Sequence, residues 1–211
     1  FAGRRGYLWE IYRGSEPIAE QFSQLIDMKI NLEGTVAAFL IRNTAGNAYA
    51  ILYSDEFNEP VYSKPYDAAS NLALHPTEAL IGFSATKNLA NYVVYGGMEY
   101  PLGEFSAIPK FTFDGSEIYY LYCNIECYLY VDGKRFTLPL NLSPENIIAR
   151  IPHTSTVAYS NSNSMVMFNY DNNIQYSGMM VDSIIAPIYN SRTGEYQTLG
   201  SIGNKLYLLT C

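Results

Sequence analysis

The residues whose type and spacing best suit them to chemistry lie between Phe111 and Leu140. Tyr120, Tyr122, Tyr128 and Tyr130 recur at alternate positions around Asn124 and Glu126. Side chains two apart on an extended chain share a face, so these phenols form one row. Tyr119, Leu121, Cys123, Ile125, Cys127, Leu129 and Val131 fall on the other side. A tyrosine offers a large rigid ring and a hydroxyl, which is the chemistry of contact rather than of bond making. The row is read as a subunit interface, as a stacking platform for sugar rings, or as a face covered by a second sheet of the same domain.

Three cysteines accompany it: Cys123, Cys127 and Cys211. On one straight strand Cys123 and Cys127 stand about 13 Å apart, and a disulfide needs Cα atoms within about 7 Å. They therefore pair with each other only if the chain reverses at Asn124-Ile125-Glu126. Otherwise Cys211 ties to one of them and leaves one thiol free, or Cys123 and Cys127 are small buried apolar groups. Three cysteines without a neighbouring histidine do not make a zinc set, and no metal or other cofactor is expected.

Catalytic constellations are poorly supported. The two histidines, His75 and His153, each stand beside a proline in a loop-like stretch, and Gly82-Phe-Ser84-Ala-Thr86 lacks the second glycine of a nucleophile elbow. Glu117 and Glu126 lie on opposite parities and do not face one another if the segment is straight, as a glycosidase pair must. The acidic run Asp55-Glu56-Phe57-Asn58-Glu59 offers oxygen ligands but not the order of a calcium loop. No phosphate-cradling glycine loop is present. Asn141-Leu-Ser143 is a lone glycosylation sequon.

Composition bounds the partners. Charged residues make up only 16% of the 211, and 20 tyrosines carry much of the polarity. The net charge of −7 and the scattering of 13 basic residues argue against nucleic acid and anionic membrane surfaces. No apolar run reaches the length of a spanning helix. The chain begins at Phe1 rather than Met, as expected of a processed secreted protein or of a fragment.

These residues must be positioned by strands. Two Asp-Gly pairs, Asp114-Gly115 and Asp132-Gly133, bracket the central segment and signal hairpins. Tyr119 to Val131 runs either as one long strand or as a hairpin. Upstream, Tyr7, Trp9 and Ile11 alternate within a glycine-punctuated start, 1–14, that reads as one aromatic strand. Ser15 to Ser23 opens like a short helix, with Pro17 early and Ile18 and Phe22 at helical spacing. Asp67 to Leu74 has room for one helical turn. Thr35 to Arg42 and Ala48 to Ser54 are largely apolar and read as central strands. About a dozen short strands follow one another with turn signals every 8–12 residues, and no internal repeat stands out.

The pattern predicts an all-β, antiparallel two-sheet sandwich, jelly-roll or immunoglobulin-like, over 15–211. At most one short N-terminal helix accompanies it, and 1–14 forms an extension exchanged between subunits. The expected function is a non-enzymatic structural subunit of an extracellular, cell-surface or virion assembly, polymerising as strand 7–12 adds to a neighbour's sheet. Tyr7, Trp9, Ile11 and the four even-numbered tyrosines would form the contact. The alternative is a carbohydrate-binding, adhesive module using those tyrosines.

Overall fold

A computed structural model describes residues 2–210 except 20, 32, 58, 104–105, 124–125, 140–146, 162–163, 181, 185–187, 191 and 194. Among the described residues there is no helix, and the strands form six small antiparallel sheets. The chain divides into two units, Phe1–Phe111 and Thr112–Cys211.

In the first unit, β1 (Ala2–Arg5), β2 (Leu8–Arg13) and β3 (Glu16–Pro17) pair in order. They are followed by β4 (Gln24–Ile30), β5 (Val36–Arg42), β6 (Ala48–Ser54) and β7 (Val61–Tyr62), again in order. The third sheet comprises β8 (Ala68–Leu74), β9 (Ile81–Lys87), β10 (Ala90–Tyr95) and β11 (Met98–Gly103). After it comes β12 (Ile108–Phe111).

β5 shows why these sheets stack. Its sequence is apolar on both parities, so both faces must be covered. Val36, Ala38 and Leu40 join Phe83, Ala85 and Val94 of the third sheet in one core. Phe39 and Ile41 meet Ile11 and Phe22 in another. The sheets therefore pack in series, each covering one face of the next.

The second unit repeats the plan. β13 (Ile118–Cys123), β14 (Cys127–Val131) and β15 (Lys134–Thr137) pair in order. β16 (Ile147–Arg150), β17 (Thr156–Asn161), β18 (Ser164–Asn169) and β19 (Ile174–Met180) do the same. Leu121 and Leu129 pack against Val157, Val166 and Phe168 between the two sheets. In the last sheet, β22 (Glu195–Ile202) pairs on one side with β20 (Ser183–Ile184) and β21 (Ile188–Asn190) and on the other with β23 (Lys205–Thr210).

Several expectations are corrected. The architecture is not a two-sheet sandwich, because the apolar faces are divided among several sheets rather than shared by two. The expected helix at 15–23 is instead β3 and a bridge from Phe22 to Trp9; Pro17 sits on an edge strand, where a missing N–H costs no ladder bond. Asp67 to Leu74 is mostly β8, bulged between Ser70 and Ala73 with Asn71 at φ 53°. The Asp132-Gly133 hairpin is as expected. Val131 lies opposite Lys134 and both turn residues have positive φ, the requirement of a type I′ turn.

Candidate functional site

The central segment folds back on itself. Tyr119 lies opposite Val131, Tyr120 opposite Tyr130, Leu121 opposite Leu129, and Tyr122 opposite Tyr128. Cys123 and Cys127 close the tip with a disulfide, their Cα atoms 4.0 Å apart. Cys211, Asn124 and the sequon at 141–143 lie outside the described residues. Breaking the Cys123–Cys127 bridge is expected to lower stability by about 2 kcal/mol, the chain-entropy value for so short a loop. Equilibrium unfolding of Cys123→Ser/Cys127→Ser against the oxidised chain measures it.

The hairpin converts the tyrosine row into two cross-strand pairs. Tyr120 stacks on Tyr130 at 4.9 Å and Tyr122 on Tyr128 at 5.8 Å, both nearly parallel. The Arg135 guanidinium lies 4.9 Å from the Tyr128 ring centre. The Tyr128 hydroxyl donates to Glu126, which raises its pKa because ionisation would place a phenolate against a carboxylate. Each ring thus gives one face to its neighbour, and Tyr122 is only 8% exposed. The cluster presents ring edges and hydroxyls rather than an open stacking platform.

The N-terminal candidates separate. Tyr7 stands in the β1–β2 turn, 89% exposed. Trp9 exchanges backbone hydrogen bonds with Phe22 of its own chain, and Ile11 is fully buried there. β2 is a middle strand of its own sheet.

A second constellation, in the second unit, escaped the sequence reading. The loops at 112–117, 151–155 and 170–173 gather around Arg150, which is 4% exposed. Its guanidinium pairs with Glu117 and donates to the Tyr170 hydroxyl at 3.0 Å and the Thr154 carbonyl at 3.1 Å. The backbone N–H of His153 donates to Glu117 at 3.3 Å, and its ring lies 3.3 Å from Asp114. The Ser155 hydroxyl donates to Asp171. The signal for this cluster was Ile147-Ile-Ala-Arg150-Ile151, an arginine inside an apolar strand, which must find a carboxylate.

As chemistry the cluster is self-satisfying. Among the described residues no hydroxyl or thiol donates to the His153 ring, so it lacks the nucleophile of a triad. His75 is buried and its Nδ1 accepts from the backbone N–H groups of Thr77 and Glu78, capping a turn. Ser84 donates to the Ala107 carbonyl. Asp55 pairs with Arg13 at 3.0 Å, and no three His, Cys, Asp or Glu among the described residues group to hold a metal.

Asp114 gives a pH prediction. Partial burial raises its pKa, but Thr112, Ser116 and His153 together outweigh this, and the net pKa is lowered. A carboxyl with a depressed folded pKa contributes stability above the ordinary carboxylate pKa, and loses it as pH falls through the lowered value. Asp114→Asn should therefore flatten the acid limb of the stability curve and leave alkaline behaviour unchanged, as read by thermal melts from neutral pH into acid.

No family model and no curated protein matches this sequence. Solved structures do. One from a study of two prolyl endopeptidases superposes with a TM-score of 0.58 at 7% identity, covering 100% of this chain and 40% of that one. The Dos1 propeller gives 0.53 at 9% identity, covering 95% and 62%. A chain of a mitotic checkpoint complex gives 0.53 at 10% identity, covering 100% and 75%. The fold is propeller-like. The chain spans less than two thirds of the Dos1 propeller and of the prolyl endopeptidase chain.

A propeller-like succession explains a spacing that the sequence reading missed. The turns into the last strands of the first five sheets begin at Gly14, Asp55, Gly96, Asp132 and Tyr170, which are 36 to 41 residues apart. Blade repeats of known propellers run at about 40 residues. The period is carried by turn geometry and not by a repeated motif, since the residue that opens the turn differs from sheet to sheet.

Proposed function

We propose that this chain is a non-enzymatic structural module of an assembly outside the reducing cytosol, making its contact through the last propeller-like sheet. The observation that carries the reading is the face formed by Leu199, Leu206 and Leu208. Leu199 lies opposite Leu208, and Leu206 and Leu208 share a face of β23. Leu206 is 75% exposed, Leu208 61% and Leu199 41%. Three neighbouring exposed leucines on two paired strands cost solvation that a covering contact, from a partner or from further chain, would recover. The Cys123–Cys127 bridge fits an oxidising compartment. The self-satisfied pairing of Asp114, Glu117, Arg150 and Asp171 supports a scaffold role over chemistry.

Strand addition through residues 7–12 is the weaker route, because exchange would first extract Ile11 and break the Trp9–Phe22 bonds. Carbohydrate binding through Tyr120 and Tyr128 is likewise weaker, because their ring faces already stack on neighbours.

The test is binding of an environment-sensitive apolar fluorophore to the folded chain, read with circular dichroism as a fold control. The wild type should bind and Leu206→Ser/Leu208→Ser should lose most of the signal. A folded wild type that binds no probe overturns the reading. So does a glycan-array signal that is lost in Tyr128→Ala and kept in the leucine variant.

A further inference from the structure

A phenol gives up an electron readily only when its hydroxyl proton has somewhere to go. A base already hydrogen-bonded to the hydroxyl meets that need. Tyr12, Tyr66 and Tyr128 each donate to a carboxylate, of Glu10, Glu99 and Glu126 in turn. Tyr66 and Glu10 are buried, away from a dissolved oxidant and from water. Tyr128 is half-buried and Glu126 is exposed, so an electron can leave this ring and its proton can pass on to solvent.

Two further contacts bear on the Tyr128 ring. Tyr122 stacks on it at 5.8 Å and within 10° of parallel, so a radical formed on one ring lies against a second oxidisable ring. The Arg135 guanidinium, 4.9 Å from the ring centre, opposes positive charge on the ring and so ties loss of the electron to loss of the proton. The ladder holds the pair in place. Tyr122 lies directly opposite Tyr128, and the Cys123–Cys127 bridge closes the hairpin one residue beyond.

We infer that Tyr128 is a site of one-electron oxidation and that the Tyr122–Tyr128 pair closes to a dityrosine. The co-reactant is a one-electron oxidant of the peroxidase type. Each phenol loses one electron to it and one hydroxyl proton, that of Tyr128 to Glu126 and that of Tyr122 to water. The two radicals join through ring carbons ortho to oxygen, and the hydrogens on those carbons move to the oxygens and restore both phenols. The chain loses two electrons and two protons in all. The site lies wholly in β13 and β14, so it stands whether or not the leucine face makes a contact.

Photo-oxidation of the full chain with ruthenium tris(bipyridine) and persulfate tests this, followed by disulfide reduction and cleavage after Glu126. Tyr122 and Tyr128 then lie on separate peptides unless their rings are bonded. A linked peptide lighter by two hydrogens is expected from the monomeric chain, with dityrosine fluorescence. Glu126→Gln keeps a hydrogen-bond acceptor but not a base, and should lower that fluorescence at least about tenfold. Tyr122→Phe should abolish the link, and circular dichroism shows whether each variant is folded. Absence of the linked peptide overturns the inference. Oxidation that goes first to Tyr7, 89% exposed, also overturns it, because exposure alone would then select the site. So does a link formed instead at Tyr120–Tyr130, whose rings stack closer at 4.9 Å, or a yield that Glu126→Gln leaves unchanged.

Discussion

Glu117→Ala should cost about 3–5 kcal/mol, the range found when one partner of a buried ion pair is removed. Arg150 is almost wholly enclosed, and Glu117 is its counter-charge. Without that carboxylate the buried guanidinium loses its ion pair, and the neutral oxygens of Tyr170 and Thr154 do not offset the loss of its hydration. The paired change Glu117→Leu/Arg150→Met should be far milder, because it removes the need for charge compensation along with the charge. Urea unfolding of both variants separates the two effects. A loss of less than about 1 kcal/mol in Glu117→Ala would show that water reaches Arg150 and that the pair behaves as an exposed one.

Phe83→Ala should cost a similar amount, about 3–5 kcal/mol, by a different mechanism. Phe83 is fully buried between the second and third sheets, among Leu40, Leu72 and Val94, and its ring meets Tyr66 edge-on at 5.6 Å. Strand backbones hydrogen-bonded into two sheets cannot collapse to fill the space left by a ring. The loss therefore combines transfer and cavity costs. Hydrogen exchange should show lost protection concentrated in β5, β6, β8 and β9. Tyr66→Phe tests the neighbouring polar contribution. The Tyr66 hydroxyl donates to Glu99 at 3.1 Å, and burial with that bond raises its pKa. Removing it should cost only about 1 kcal/mol.

Local features were the most legible in the sequence. Asp132-Gly133 marked a hairpin because only residues tolerant of positive φ fit that turn. The parity of Tyr119 to Val131 placed Tyr119, Leu121, Cys127, Leu129 and Val131 in the core whether or not the chain reversed, since a hairpin across an odd number of turn residues preserves it, although Tyr122 of the other parity is buried as well. The reversal itself was left open, because no Asn-Gly or Asp-Gly pair marks 124–126 and the disulfide does the work of closing the tip. The division into many sheets was not legible from alternation. A strand buried on both faces, such as β5, looks the same whether its neighbours belong to one opposing sheet or to two. The helical reading of 15–23 failed because Ile18 and Phe22 owe their spacing to a turn that returns the chain to Trp9. Of the polar cluster, only Arg150 could have been suspected, and its partners come from loops up to 33 residues upstream.

In five of the six sheets the chain pairs strands in the order in which they occur, each with the next. Such connectivity keeps contact order low for an all-β protein, because each hairpin closes a short loop before the next begins. Within each unit, stability then accumulates by nearest-neighbour interfaces, as in repeat proteins. During synthesis the first three sheets can therefore fold on the ribosome while later ones are still being made. The last sheet departs from this order: β20 and β21 must both wait for β22 before they have a partner. Its assembly should be the slow, late event in refolding, and the sheet that bears the exposed leucines is the one that stays open longest.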